Sequence, residues 1–229
     1  MAILLQIDTT GPISSVSLTQ FGALIHTEKE IKPNAHAQVI TLLIQKALEK
    51  TQIPLNEIKA IALSSGPGSY TGLRIGSSTA KGLCLALEIP LISINTLDSL
   101  FEGIQELKPE TDFDYFIPVL DARRMEVYLS IFNKSGIKLV DSKAWIIDEK
   151  TFEKYLESPS LFWGSGSEKL KSIYSHHPNA FFYPGFETLS SHFTKLAQKK
   201  FENSEFENLI DFEPFYLKEF YSTSKIHNS

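Results

Sequence analysis

The order of segments in the first third of the chain is repeated in its second half. An apolar run ends in Asp8, and a strand of alternating apolar and polar residues and a glycine turn at Gly22 follow it. A second apolar run ends in Asp121, and again an alternating strand and a glycine turn, at Gly136, come next. Such segments are typical of antiparallel strands. We interpret the repeat as an internal duplication, which limits the fold to two similar units.

Each half continues with a strand, a glycine turn and a helix, at residues 60–76 and 160–174. Two lobes with this order of elements form the arrangement of the actin-like ATPase superfamily (the ASKHA, ribonuclease H-like fold). We therefore predict an α/β protein with duplicated mixed sheets. Residues 1–105 would form the N-terminal lobe and residues 106–229 the C-terminal lobe, whose last segment packs back towards the first. An unrelated α+β fold is the alternative that the pattern leaves open.

Composition restricts the classes of function. A net charge of −5 argues against a broadly basic nucleic-acid surface, so that another chain would supply most phosphate contacts if RNA is bound. Cys84 is the only cysteine, which excludes an internal disulfide and a cysteine metal cluster. The N-terminus lacks a basic region before its apolar run, and no apolar run approaches the ~20 residues that span a bilayer. We expect a cytoplasmic protein without a membrane anchor.

The glycine turn in SSGPGSYTGLRIG, at residues 64–76, is the first candidate site. Its backbone N–H groups, at Gly66, Gly68 and Ser69, would point outward at a helix N-terminus, where anions bind, and Arg74 could contact a phosphate. The turn lacks the lysine of a Walker A loop. A tight strand-to-helix turn without a ligand is the alternative.

Asp8 and Asp121 end the two strands at which actin-like kinases place carboxylates for Mg²⁺ and water. The loop after Asp8, TTGPISS, has a single glycine and a proline, whereas a kinase loop is glycine-rich so that phosphate can approach the backbone. We favour the interpretation that both aspartates are turn-forming side chains bonded to local N–H groups.

The six histidines show no spacing typical of a metal site or metallopeptidase, and no nucleophile elbow is present. We interpret His36 as the first residue of a helix and the other histidines as surface residues. Cys84 lies in an apolar helical stretch, where it is expected to be inert packing.

Residues 121–128, DARRMEVY, form the most concentrated polar cluster. A charged hairpin with mutual ion pairs is one interpretation, and a contact between lobes or with a ligand is the other.

Two helices are predicted at residues 36–50 and 72–88. The first has apolar residues on more than one face and the second is nearly uncharged and rich in small residues, which indicates docking of a partner helix pair. Packing beneath the chain's own sheet is the alternative. A further amphipathic helix is predicted at residues 187–206. The predicted interface residues are His36, Val39, Ile40, Leu43, Ala47, Leu73, Gly76, Ser77, Ala80 and Leu83.

The segments IDTT, SSGPGSYTGLRIG, DARRMEVY and EPFYLK, in this order, resemble the TsaB (YeaZ) family from residue 3 to about residue 220. The resemblance implies an actin-like fold and a non-catalytic role in forming threonylcarbamoyladenosine beside the tRNA anticodon. It implies a TsaD-like catalytic partner, a TsaE-like ATPase and contact with tRNA through the complex. It implies no cofactor of the chain's own, with ATP or ADP and Mg²⁺ at the complex interface. Without the partner, the apolar face would form a homodimer.

The TsaD paralogue carries two metal histidines in a segment that resembles residues 88–100, EIPLISINTLDSL. Thr96 and Leu100 occupy those two positions here, and neither can replace an imidazole. The resemblance therefore implies a chain that is not an enzyme. An actin-like small-molecule kinase or nucleotide hydrolase that uses Asp8 and Asp121 is the alternative, and a glycoprotease-like metallopeptidase is a weaker one.

Overall fold

A computed structural model describes residues 2–31, 36–107 and 112–218. The first sheet has the order β3-β2-β1-β4-β5. Strand β1 pairs antiparallel with β2 and parallel with β4, β2 pairs antiparallel with β3, and β4 pairs parallel with β5. Its strands are β1 (Ile3–Asp8), β2 (Ile13–Gln20), β3 (Ala23–Ile31), β4 (Ile58–Gly66) and β5 (Leu91–Asn95).

The second sheet repeats this topology, with the order β8-β7-β6-β9-β10. Strand β6 again pairs antiparallel with the next strand and parallel with β9. The duplication and the predicted two-lobed actin-like fold are confirmed, whereas the division at residues 105 and 106 stays a prediction. The strands are β6 (Tyr115–Asp121), β7 (Glu126–Asn133), β8 (Lys138–Ile146), β9 (Ser160–Trp163) and β10 (Ala180–Tyr183).

Five α-helices and two short 3₁₀ turns lie in the described parts of the chain, the turns at Leu55–Glu57 and Ser190–Phe193. The single helix predicted over residues 187–206 is wrong. The helix in this region is limited to α5 (Thr194–Glu202), because the 3₁₀ turn before it directs its polar groups into the first sheet. Ser190 N donates to Ser15 Oγ at 2.8 Å. The helices are α1 (His36–Thr51), α2 (Tyr70–Leu87), α3 (Thr96–Glu106), α4 (Ser167–Tyr174) and α5 (Thr194–Glu202).

Helix α1 buries one stripe of apolar side chains against β2, β3 and α2. Outside this stripe, the apolar surplus that the sequence indicated for this helix is limited to one large exposed residue. Its flanking residues Val39 and Leu48 pack at the edges of the same core, and Leu42 is the large apolar residue that α1 exposes. Most of the apolar residues of α1 are therefore buried in the core of the first lobe and are not available to a partner.

The opposite face of the first sheet is polar where it meets residues 188–194. Ser17 and Ser190 hydroxyls lie 2.7 Å apart, and Thr194 Oγ1 donates to Gln6 Oε1 at 3.2 Å. These groups are buried, and the hydrogen bonds between them offset the cost of removing them from water. Residues that follow the second sheet are thereby fixed to the first one.

His192 is not the surface residue that the sequence suggested. Its ring stacks on Phe186 with centroids 4.8 Å apart and packs over Gly103. Burial lowers the pKa of the imidazole to about 4, so that the ring is neutral at pH 7. His36 is likewise buried, with Nδ1 2.6 Å from Ser14 Oγ, and burial lowers its pKa.

Candidate functional site

The glycine turn packs directly against the turn between β1 and β2. Ser69 N donates to Thr10 O at 2.8 Å, and Thr9 Oγ1 donates to Gly72 O at 2.7 Å. A Cβ on Gly72 would overlap Thr9 O, and a Cβ on Gly68 would lie 2.7 Å from Thr10 O. Glycine is therefore needed here for close approach between two segments of the same chain.

A second segment covers the other side of the turn. We call residues 207–218 the C-terminal strap. Phe215 N donates to Ser65 O at 2.7 Å, and a Cβ on Gly66 would lie 2.5 Å from Phe215 O. The strap and the β1–β2 turn thus occupy the space around Gly66 and Gly68 in which a phosphate was predicted. A nucleotide contact by these two residues stays a prediction, and the structure gives them a packing role.

Ser69 caps α2, where its Oγ accepts a hydrogen bond from Gly72 N at 3.2 Å. The N–H of Ser69 itself is bonded to Thr10, so part of the predicted anion site is satisfied internally. Arg74 is exposed, and its guanidinium carbon lies 4.1 Å from the centroid of the Tyr70 ring.

Asp8 is fully buried at the end of β1. Its Oδ1 accepts hydrogen bonds from Thr10 N and Thr10 Oγ1, both at 2.8 Å, and its Oδ2 makes no hydrogen bond in the described chain. Burial raises the pKa of this carboxyl, and the hydroxyls of Thr10, Ser64 and Thr188 oppose the shift only in part. The group is therefore poorly placed to hold a negative charge.

Asp121 is exposed at the end of β6. It accepts a hydrogen bond from Arg123 N at 2.5 Å and pairs with Lys169 at 2.6 Å. Asp8 and Asp121 each bond the N–H two residues further on, as expected of turn-forming side chains. No hydrogen bond or ion pair between these two aspartates occurs among the described residues.

The polar cluster at residues 121–128 forms the turn between β6 and β7. The predicted ion pairs within the cluster are wrong, because the carboxylates pair with lysines from other elements. Asp121 pairs with Lys169 of α4, and Glu126 pairs with Lys218 of the strap. The second pair joins this hairpin to a segment that packs on the first sheet. A contact between lobes was the alternative interpretation of this cluster. The sequence did not indicate that the strap makes the contact.

Most of the predicted interface residues lie in the first lobe's own core. The prediction that these residues form an exposed surface is wrong for eight of them, which are buried: His36, Ile40, Leu43, Ala47, Leu73, Gly76, Ser77 and Ala80. Val39 and Leu83 are partly buried at the edge of that core. A partner contact by these ten residues stays a prediction.

The outer face of the same helix pair has a different composition. Leu85 is 76% exposed and Leu42 is 52% exposed. Ser78 and Gly82 are exposed on α2, two turns and one turn before Leu85, and a Cβ on Gly82 would meet open space. We call Leu42, Ser78, Gly82 and Leu85 the outer helix face. It combines small residues that permit close helix approach with two apolar side chains.

Thr96 and Leu100, which align with the metal histidines of the paralogue, lie on α3. Thr96 is buried with its Oγ1 3.0 Å from Ser64 Oγ, and Leu100 O accepts a hydrogen bond from Trp163 Nε1 at 3.2 Å. In the described ranges, no three His, Cys, Asp or Glu side chains form a group that could hold a metal ion.

Two adjoining cavities of about 310 and 390 Å³ lie beside the strap. Both are lined by Ser65, Ser93 and Phe215, at the carboxyl ends of the parallel strands β4 and β5. Lys200 reaches the first cavity, where its Nζ donates to Ser93 O at 3.0 Å. Neither cavity is lined by a residue that the sequence had proposed for cofactor binding.

None of the described helices combines the length and the apolar character that crossing a membrane requires.

Comparisons with known proteins agree with one another. The family model for TsaD, tRNA N6-adenosine threonylcarbamoyltransferase, matches residues 25–226. The tRNA threonylcarbamoyladenosine biosynthesis protein TsaB of Escherichia coli (strain K12) is 34% identical over 57% of this chain and 55% of that protein. The chain thus spans about half the length of that relative. TsaB of Buchnera aphidicola subsp. Baizongia pistaciae is 30% identical over 67% of this chain and 69% of that protein.

The fold is also that of a solved structure. The protein described as YeaZ from Pseudomonas aeruginosa has a TM-score of 0.77 and 22% identity, over 95% of this chain and all of that one. At this identity the likeness concerns the fold alone.

We predict opposite effects for two alanine substitutions on α2. Gly72→Ala should lower the free energy of unfolding by about 3 kcal/mol, because the new Cβ collides with backbone. Gly82→Ala, on the same helix in open space, should raise it by about 0.5–1 kcal/mol. Urea unfolding measures both, and equal effects would contradict the close packing of the glycine turn.

We also predict that Asp8→Asn stabilises the chain at pH 7, by on the order of 1–3 kcal/mol. The folded-state pKa is raised above 3.8, so folding favours the protonated acid, and that stability is lost as pH rises through the folded pKa. The gain from asparagine should therefore vanish near pH 3.8. Urea unfolding at both pH values tests this, and destabilisation at pH 7 would indicate a carboxylate that binds a cation.

Proposed function

The chain belongs to the TsaB (YeaZ) family, and from this membership we propose that it is a subunit of the bacterial tRNA threonylcarbamoyladenosine modification system. In this role it binds and supports a TsaD-like catalytic subunit. The observation that carries the proposal is the match to the TsaD model over residues 25–226, in a chain whose Thr96 and Leu100 provide no metal ligand. A chain that is related to the enzyme but lacks its metal histidines is expected to support the catalytic subunit and not to carry out the reaction itself.

The partner docks on the outer helix face. Leu42 and Leu85 are exposed on neighbouring helices, and apolar side chains in that position are typical of the centre of an interface. Ser78 and Gly82 let a partner helix approach the backbone of α2 closely. The buried residues named by the sequence support this face from beneath. In the absence of the partner, the same face pairs with a second copy of the chain.

The chain itself is not catalytic in this proposal. The carbonyls and hydroxyls around the glycine turn are bonded within the chain, which gives no support to phosphate transfer by Asp8. ATP or ADP with Mg²⁺ would bind at the complex interface, a TsaE-like ATPase would act on the complex, and the whole system would operate in the cytoplasm, where tRNA is found.

We predict that Leu85→Arg weakens binding of the TsaD-like subunit at least about tenfold, because a charge replaces an apolar contact at the interface centre. Ile146→Arg is the matched control, since Ile146 is 77% exposed but lies on β8 of the other sheet. Isothermal titration with the purified partner measures the affinity.

The same variants should be tested in a reconstituted reaction with the TsaD-like and TsaE-like subunits, tRNA and the threonylcarbamoyl donor. Loss of modification with Leu85→Arg and full modification with Ile146→Arg is the expected result. Full modification without this chain would refute the proposed function, and equal binding by both variants would show that the outer helix face is not the docking site.

A further inference from the structure

The chain contains three arginines among its 22 basic residues, and the two elements that carry them both contact the C-terminal end of the strap. Arg74 is on the first turns of α2, and Arg123 and Arg124 form the turn between β6 and β7. All three side chains belong to exposed residues. Arginine matches phosphate oxygens with a planar fork of donors, which lysine does not.

A continuous series of contacts joins these arginines. The Arg74 guanidinium lies over the Tyr70 ring, whose centroid is 5.3 Å from that of Tyr216 on the strap. Two residues further on, Lys218 pairs with Glu126, at the start of β7. Glu126 N in turn donates to Arg123 O at 3.2 Å. We call Arg74, Tyr70, Tyr216, Lys218, Arg123 and Arg124 the arginine strip.

The strip has an excess of positive charge on an acidic protein. The two carboxylates of the β6–β7 turn are each neutralised by a lysine, Asp121 by Lys169 and Glu126 by Lys218. Within the described ranges, none of the three arginines takes part in an ion pair. In this part of the chain their charge is therefore available to attract an anion.

The backbone of the turn gives a second, independent indication. Arg123 and Arg124 have φ values of 69° and 50°, in the left-handed region where asparagine and glycine are favoured. The geometry of the turn therefore does not call for arginine at either position.

From these observations we propose that the arginine strip binds a single-stranded segment of RNA. Arg123 and Arg124 contact phosphates, and the outer side of the cluster of Arg74, Tyr70 and Tyr216 contacts bases, which stack on guanidinium planes and aromatic rings. The residues of the strip are exposed or partly exposed and meet at the C-terminal end of the strap, whereas a free triphosphate would need a cradle, and the glycines of the turn pack against Thr9, Thr10 and Phe215. The inference rests on the proposed function, which brings RNA to this chain.

The test uses the full chain and a short, unstructured, fluorescein-labelled oligoribonucleotide, with affinity measured by fluorescence anisotropy over a series of salt concentrations. The double variant Arg123→Asn with Arg124→Asn removes both charges and suits the left-handed backbone. We expect it to bind roughly tenfold more weakly and the slope of log K against log salt to fall by about 1.4, for two lost phosphate contacts. Its thermal midpoint should be unchanged or higher.

Lys59→Gln with Lys134→Gln is the matched control. Both lysines are exposed, Lys59 near the start of β4 and Lys134 after the end of β7, away from the strip. This variant should bind the RNA as the unaltered chain does. The inference would be overturned if both double variants lost affinity for the RNA equally, or if the unaltered chain showed no salt-dependent binding. Displacement of the RNA by Mg-ATP would also overturn it. Binding of the TsaD-like subunit, measured on the same preparations, separates this failure from a failure of the proposed function.

Discussion

The contact between the glycine turn and the β1–β2 turn is the constraint on which the rest of the structure depends. Thr9 and Thr10 hold residues 68–72 by two hydrogen bonds, and glycine allows the two backbones to touch. This contact fixes the N-terminus of α2, and with it the face that α2 presents outward. In a nucleotide-binding protein the same glycines would surround a phosphate. Here Thr9, Thr10 and Phe215 pack against these glycines, and the contacts give the turn a role in positioning α2.

The two sheets are tied together by polar contacts on one side and by the strap on the other. Hydroxyls of residues 188–194 bond the polar face of the first sheet, and the strap runs from β5 past Ser65 to Glu126 of the second sheet. The strap therefore connects the glycine turn, the start of α2 and the β6–β7 hairpin. A partner on the outer helix face and an RNA on the arginine strip would lie on adjoining surfaces, because Arg74 is one turn from Ser78.

Much of the fold follows from local sequence patterns. Alternating strands, the aspartate turns and the glycine turns depend on nearby residues, so their order predicted the duplicated mixed sheets, although β10 and α3 were not predicted. The site depends on distant contacts and was harder to predict. Apolar residues of α1 and α2 look the same whether they face their own sheet or a partner, and glycines look the same in a phosphate cradle and in a close packing. The strap bonds Ser65 and Lys81 through the main-chain groups Phe215 N and Phe212 O, and the partners of its side chains, Tyr70 and Glu126, are distant in sequence, so its packing site could not be predicted. His192 was misassigned because nothing in its neighbours signals the ring contacts with Phe186 and Gly103.

Hydrogen exchange of the backbone N–H groups at residues 68–73, in the isolated chain with and without saturating Mg-ATP, tests the central claim most directly. If the chain fills its own glycine turn, Ser69 N and Leu73 N are protected from the start, because both are bonded internally. Addition of Mg-ATP should then leave their exchange unchanged. Rapid exchange in the free chain that becomes slow with Mg-ATP would contradict the account and restore the turn as a phosphate site.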